Sequence, residues 1–368
     1  MDTVVITDGK YRASIAAARM LGRAGYRVAA VQAREDQRLE PPVFASRYVQ
    51  EGRWLEGAAN DPAYPDRLYA LLESYGRPVL FCAGAATLNA VSKQRERFGR
   101  VCDFLIAPPH VLDALNDKAA VHRRCAELGI PVPAEFDGPP DRFPVVVKPH
   151  CGEKFGLKAK DRYAVARNSG EYAARLAAMS KYDPHPIVQE KVEGEGAGAS
   201  LLLDRNSRLI AALCHRRVRE YPASGGPSTC CESFYDESMI GQAYELLASF
   251  GFVGMAMVEF KGGRVLEVNP RVWGSFPMTE RAGSPFAVRY ARAARGERLD
   301  YAPQDYKTGV RMRFTLNDGA AMLDYLRHGR PGPFFQGMAD WFRAEEALSA
   351  GDDPAPFRRY LRNTLLRR

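Results

Sequence analysis

The segment Val258–Arg271, VEFKGGRVLEVNPR, constrains this chain more than any other stretch. Residues Met255–Phe260 and Arg264–Asn269 are apolar-rich runs of strand length. Gly262-Gly263 between them is a turn signal, so an antiparallel hairpin is predicted. Side chains two apart on a strand leave the same face, which puts Glu267 and Asn269 together. An odd-length loop centred on Gly263 would set Glu259 opposite Glu267, whereas a two-residue turn would send it to the other face. In the first register two carboxylates and an amide oxygen converge beside Arg271. Hard oxygen ligands next to a phosphate-binding cation suit magnesium bound to a nucleoside triphosphate. A surface hairpin turned to water would carry the same letters, so the hairpin alone does not decide between the two.

The rest of the chain alternates. Thr3–Thr7, Arg27–Val31, Pro78–Cys82 and Phe104–Ile106 read as strands, and Ser14–Ala24 and Ala85–Arg97 as helices. That order predicts a small parallel α/β domain over residues 1–108. Its first turn, Asp8-Gly9-Lys10-Tyr11-Arg12, lacks G-x-G-x-x-G and does not read as a dinucleotide site. Pro108-Pro109 marks a boundary, and a helix is expected from Asp117 to Leu128. Residues beyond about Asp300 read as a separate C-terminal piece, with helices at Ala320–His328 and Pro356–Leu366. A chain of 368 residues is long for a single core.

Composition removes several classes. No apolar run approaches the length that spans a bilayer, and the N-terminus has no basic region followed by an apolar core. Seven cysteines without C-x-x-C spacing read as reduced thiols of a cytoplasmic protein, the adjacent Cys230 and Cys231 included. The net charge of +8 is spread along the chain, with no basic arm or aromatic-basic repeat. It suits anionic small molecules and not nucleic acid.

Four motifs in order carry a family resemblance: Asn116-Asp117-Lys118 at a helix start, VVVKP at Val145–Pro149, QEKVEGEG at Gln189–Gly196, and LEVNPRVWGS at Leu266–Ser275. Together they resemble the ATP-grasp superfamily, over roughly residues 110–300. The likeness is strongest to its carboxylate–amine ligases and the domains related to carbamoyl-phosphate synthetase. The resemblance implies a pre-ATP-grasp domain at 1–108 and an ATP-grasp domain at 109–300 with a lid subdomain at about 133–192. A C-terminal extension at 301–368 follows. The fold class expected is α/β, turning α+β in the ATP-grasp part.

The resemblance also assigns roles. Lys148 and Lys118 would hold phosphates, Lys148 being the closer, and Glu190, Lys191 and Val192 would form the hinge that reads adenine. Glu195, with Glu193 a rival, would accept from the ribose. Magnesium, or manganese in its place, would be held by Glu259, Glu267 and Asn269. Arg271 and Lys148 would serve the transferring phosphoryl group. The phosphate loop departs from the family, reading Cys151-Gly152-Glu153-Lys154-Phe155-Gly156-Leu157-Lys158, where two glycines and two lysines replace a small-residue run. Arg217 and Arg219 in His215–Ser228, together with Ser275, are the expected substrate contacts, because arginines clamp carboxylates in bidentate fashion. His215 reads as a hydrogen-bonded spacer.

The activity implied is ATP-dependent ligation of a small-molecule carboxylate to an amine through an acyl phosphate. The absence of any G-x-S-x-G or Cys/His signature agrees, since no covalent nucleophile is needed. Phosphorylation or thiol acylation without amide formation, and a catalytically silent nucleotide-binding regulator, are the alternatives that stand beside it. A homodimer is compatible with the sequence.

Overall fold

The computed structural model describes residues 2–34, 39–150, 157, 163–223 and 226–366. The phosphate-loop residues Cys151–Gly156 and Lys158 lie outside them. The N-terminal domain is a parallel sheet: β1 (Thr3–Thr7), α1 (Arg12–Arg23), β2 (Arg27–Arg34), β3 (Val49–Glu56), α2 (Tyr64–Ser74), β4 (Val79–Cys82), α3 (Ala85–Lys93) and α4 (Arg95–Phe98), with strand order β3-β2-β1-β4. Its edge strand β3 escaped the sequence reading because VQEGRWLE has no apolar run. Phe104–Ile106 is not a strand, and the reason is local. Tyr290 Oη accepts from the Leu105 amide at 3.2 Å and donates to Leu80 O at 2.9 Å, so a phenol takes the place of a ladder bond. The helix expected over Ala85–Arg97 breaks at Gln94 into α3 and α4.

Helices α5 (Pro109–Asn116) and α6 (Lys118–Glu127) follow. Asp117 caps α6, its carboxylate accepting from the amides of Ala119 at 2.9 Å and Ala120 at 3.2 Å. That cap fixes where α6 begins, and so where Lys118 sits. Next comes a small antiparallel sheet of β5 (Val145–Lys148), β6 (Ala164–Ala166) and β7 (Ile187–Glu190), ordered β6-β5-β7 and backed by α7 (Ser169–Met179). It closes on a core of its own, made by Val145, Val147, Leu157, Ala166, Met179 and Val188.

The larger sheet contains β8 (Gly196–Leu203), β9 (Leu209–Glu220), β10 (Ser228–Phe234), β11 (Gly254–Lys261) and β12 (Arg264–Asn269), with α8 (Glu237–Ser249) on one face. After α9 (Pro277–Arg281) and α10 (Phe286–Ala294), β13 (Arg311–Arg313) joins β10, and β14 (Glu345–Glu346) joins β13. The order is β12-β11-β8-β9-β10-β13-β14. Residues beyond Asp300 are therefore not a separate piece, because they complete the edge of this sheet. Helices α11 (Thr315–Arg327), α12 (Pro331–Asp340) and α13 (Ala355–Leu366) complete the chain. The N-terminal domain shares both apolar cores with this sheet. Leu80 and Val91 pack in one cluster with Leu201 and Val258, and Ile6 and Leu21 in the other with Met257 and Trp273.

The hairpin resolves its two registers in a third way. Lys261 pairs with Arg264, so the turn is the two-residue Gly262-Gly263, with φ of 51° and 75°. Glu259 nevertheless faces Glu267, because Leu266 is an extra residue that shifts the register. A bulge thus restores the face that the short turn would have lost. A side chain at Gly262 would also drive its Cβ to 2.4 Å from Glu193 O.

Arg219 is wholly buried between β9, α11 and α12. Its guanidinium donates to Asp318 from two nitrogens at 2.8 Å and to Asp340 at 2.6 Å. This corrects the expectation that Arg219 contacts substrate. It also sits past a bulge: Arg217 and Arg219 lie opposite adjacent residues Cys231 and Cys230, so the simple alternation between them is broken. Removing one partner of such a cluster strands a buried charge. Asp318→Asn should therefore lower unfolding free energy by about 3–5 kcal/mol. Denaturant titration measures this, and a loss under about 1 kcal/mol would show that the cluster does not hold the C-terminal helices to the sheet.

Candidate active site

Five elements aim charged side chains at one place. Glu259 and Glu267 project from paired strands toward each other, an arrangement that repels on its own. Each is met by a cation from elsewhere. Lys118, the first residue of α6, lies 2.9 Å from Glu267, and Arg217 on β9 donates to Glu259. Asn269 Nδ2 donates to Glu259 Oε1 at 3.1 Å, which leaves its amide oxygen on the same face. Lys148, at the end of β5, is buried and brings a third cation from the small sheet.

The charges titrate accordingly. Burial pushes Lys148 down to about 8, and the neighbouring Lys118 ammonium adds to the fall, while Glu267 and Glu135 oppose it. Glu267 is held below the usual carboxylate range: burial works against ionisation, but Lys118, Lys148 and Arg217 outweigh it. Glu259 moves the other way, its burial prevailing over Arg217 and reinforced by Glu267. Two carboxylates and three cations leave one net positive charge, suited to a polyanion.

Among the described residues no group of three or more His, Cys, Asp and Glu side chains is gathered for a metal. The hairpin offers two carboxylates and an amide oxygen instead. That set fits magnesium, which keeps several waters and takes its remaining ligands from phosphate oxygens. Glu259, Glu267 and Asn269 are the residues that would hold it.

Hinge residues Glu190, Lys191 and Val192 join β7 to β8. The amides of Glu190 and Lys191 are already bonded, to Ala134 O at 2.9 Å and Pro144 O at 3.1 Å. These two N–H groups are therefore engaged within the protein. The Glu190 carboxylate is spent as well, accepting from the Ala134 amide at 2.9 Å and lying 3.3 Å from Arg264. Glu193 pairs with Lys191. Glu195 is the less tightly paired of the two rivals, with Arg216 at 3.9 Å, and it lines a cavity of about 150 Å³ together with Arg217, Phe260 and Leu266. A larger groove of about 790 Å³ lies between α6 and the lid connection, lined by His122, Arg123, Arg142 and Arg264, and it holds none of the three cations facing the carboxylates.

Two placements were not legible beforehand. Arg217, expected on substrate, bonds Glu259 and also lies 3.6 Å from Glu220. Ser275 is buried, with its Oγ 2.9 Å from Nε2 of His215. Burial, with help from Arg217, drives His215 down to about 3, so it is a neutral hydrogen-bonding partner as read. Arg271 stays beside the hairpin, its amide on Asn269 O at 2.8 Å and its guanidinium on Val272 O at 3.2 Å. The signal for Arg217 was its odd position on β9, the same parity as His215.

Residues 115–275 match the model of the ATP-grasp domain. The chain superposes on the biotin carboxylase domain of Hydrogenobacter thermophilus 2-oxoglutarate carboxylase, solved with MgADP, ADP and bicarbonate. The TM-score is 0.64 at 13% identity, covering 84% of this chain and 73% of that one. A Campylobacter jejuni biotin carboxylase solved as a β-γ-ATP complex gives 0.63 at 14% identity, over 84% and 74%. No curated protein sequence matches. At these identities the likeness is one of fold. No helix among the described residues is long and apolar enough to cross a membrane.

The Lys148 shift has a measurable consequence. With its pKa at about 8 in the ligand-free protein, the ammonium is present below that pH and lost above it. A bound polyphosphate favours the charged form, so binding above pH 8 must take up a proton. Affinity for tripolyphosphate should fall with rising pH above 8, by up to about tenfold per unit. Calorimetry from pH 7 to 10 tests this, and a flat profile would contradict the assigned environment of Lys148.

Proposed function

From the ATP-grasp domain that residues 115–275 form, we propose that the chain is an ATP-dependent ligase. It activates a small-molecule carboxylate as an acyl phosphate and joins it to an amine. The observation that carries this reading is the convergence of Lys118, Lys148 and Arg217 on the facing pair Glu259 and Glu267. A structural hairpin gains nothing from opposed carboxylates that three cations must neutralise.

The chemistry follows from the groups present. A carboxylate is a poor acylating agent because its leaving group would be oxide. Transfer of the γ-phosphoryl group to a carboxylate oxygen, with ADP leaving, replaces oxide by phosphate. The amine nitrogen then bonds to the acyl carbon, the C–O bond to phosphate breaks, and the amine loses its proton. Magnesium supplies charge neutralisation at the phosphates when bound by Glu259, Glu267 and Asn269.

Lys118 moves from carboxylate to phosphate, Lys148 joins it there, and Arg271 meets the transferring group. The ligands of those neighbours, MgADP and β-γ-ATP, support the choice of nucleotide and metal. Glu195 takes the ribose, and the Val192 amide together with hinge carbonyls reads the base. Positioning and charge supply the catalysis, so no nucleophile is required of the protein. The small sheet must cover the site, since water would hydrolyse an acyl phosphate.

Two measurements test this. Glu267→Gln should abolish ADP release while circular dichroism stays unchanged, because a divalent site loses one of its two ligand charges. Near-normal turnover in that variant would sink the metal assignment. Second, with a panel of acids, ADP release should depend strictly on added amine. Release with the acid alone would favour phosphorylation, and release with thiols alone would favour thiol acylation.

A further inference from the structure

Arg12 is a cation that the ATP site does not use. It is the first residue of α1, at the carboxyl end of β1 in the N-terminal domain. Its guanidinium lies flat against Phe314, with Cζ 3.7 Å from the ring centroid. Arg12 Nη1 is buried with no hydrogen-bond partner, and among the described residues the side chain forms no ion pair. Aromatic stacking orients a guanidinium and leaves its edge donors open. Leaving such donors dry and unpaired is costly unless a ligand meets them.

The acids nearby are otherwise engaged. Asp8 accepts from Thr7 Oγ1 at 2.6 Å, from the Gly84 amide at 3.0 Å and from Thr87 Oγ1 at 3.0 Å. Glu346 attracts Arg12 through space, as do Tyr360 and Cys231, yet burial outweighs them all and pulls the Arg12 pKa down. The Glu346 carboxylate accepts from the Thr315 amide at 2.8 Å and from the Leu348 amide at 3.2 Å. Helix α1 adds to the local demand for an anion, having no capping side chain and no acid in its first turn.

Position ties this cation to the candidate site. Cys231 lies opposite both Arg217 and Met312, so these side chains share one face of the large sheet. Phe314 is two residues beyond Met312 and packs in the same core cluster as Met312 and Cys231. It is thus displaced from Arg217 by two strand spacings, about 10 Å, and by two residues along the strand, about 7 Å. The order β3-β2-β1-β4 also makes β1/β4 the point where the chain's progression reverses. In open parallel sheets the crevice at that point is where ligands enter.

We infer that Arg12, stacked on Phe314, is a specificity-determining residue that receives a second anionic group of the acid substrate, a carboxylate or a phosphate remote from the carboxylate that becomes activated. The inference rests on the ligase reading above, and it narrows the acid to one with two anionic ends.

The test uses the full chain saturated with magnesium and a non-hydrolysable ATP analogue. Calorimetry compares monocarboxylates, dicarboxylates of about four to ten carbons (the longest matching the ~12 Å that the strand spacing and rise set), and carboxylates bearing a phosphate. In the wild-type protein a doubly anionic probe should bind at least about tenfold more tightly than its monocarboxylate counterpart. A preference for the second carboxylate over phosphate, or the reverse, identifies the group. Arg12→Gln should erase that advantage and Arg12→Lys should keep part of it, while the ATP analogue binds all three proteins equally. Absence of the advantage in the wild type, or its survival in Arg12→Gln, would overturn the role of Arg12. Failure of the wild type to bind the ATP analogue would instead overturn the ligase reading on which the inference stands. The lysine variant, with its charge retained, guards against loss of fold.

Discussion

Two carboxylates held face to face on adjacent strands are unstable unless something else neutralises them. Glu259 and Glu267 are so held, and the answer to their repulsion is assembled from three distant parts of the chain. Lys118 arrives at the start of a capped helix, Arg217 two strands away across the sheet, and Lys148 from a different sheet altogether. Their burial raises the stakes, since charge interactions strengthen as water is excluded. An arrangement in which Lys118 and Arg217 already have carboxylates can exchange partners when phosphate and metal arrive together, with little net charge left exposed. Phosphate alone would leave the two carboxylates opposed, and metal alone would meet cations in its place.

The same economy of charge explains how the chain is held together. Arg219 is locked by Asp318 and Asp340, and Arg19 on α1 by Asp353 at 2.9 Å and by Leu348 O at 2.9 Å. Both clusters join an early element to the last quarter of the chain. With the two shared apolar cores, they make the N-terminal domain, the large sheet and the C-terminal helices one packed unit. The small sheet, with its own core, connects through the Glu135–Gln189 region and the hinge. Relative motion of that sheet is the least costly rearrangement the fold permits, because it breaks no large core.

Much of the fold was legible in the letters. Alternating apolar runs gave the parallel N-terminal sheet, Asp117 ahead of a helical pattern gave α6, and Gly262-Gly263 gave the hairpin. The misses have physical causes. β3 is a polar edge strand with no apolar signature. The strand expected at Phe104–Ile106 yields its backbone bond to Tyr290, a residue far along the chain. β13 and β14 are too short for periodicity to register, so the C-terminal region looked detached from a sheet that it completes.

The candidate site divides along the same line. Sequence by itself determined where the candidate residues sit within a local segment: Glu267 and Asn269 on one face, Lys118 at a helix start, Lys148 at a strand end. Spacing fixes such relations because the backbone repeats with a set period. Tertiary structure alone decided three things: that Glu259 joins them through a bulge at Leu266, that Arg217 serves Glu259 while Arg219 vanishes into a buried cluster, and that Arg12 stacks over Phe314 with no ion pair among the described residues. Each depends on which strands lie side by side and where a register slips by one residue. Those are long-range choices made by burial and charge, to which local periodicity is blind.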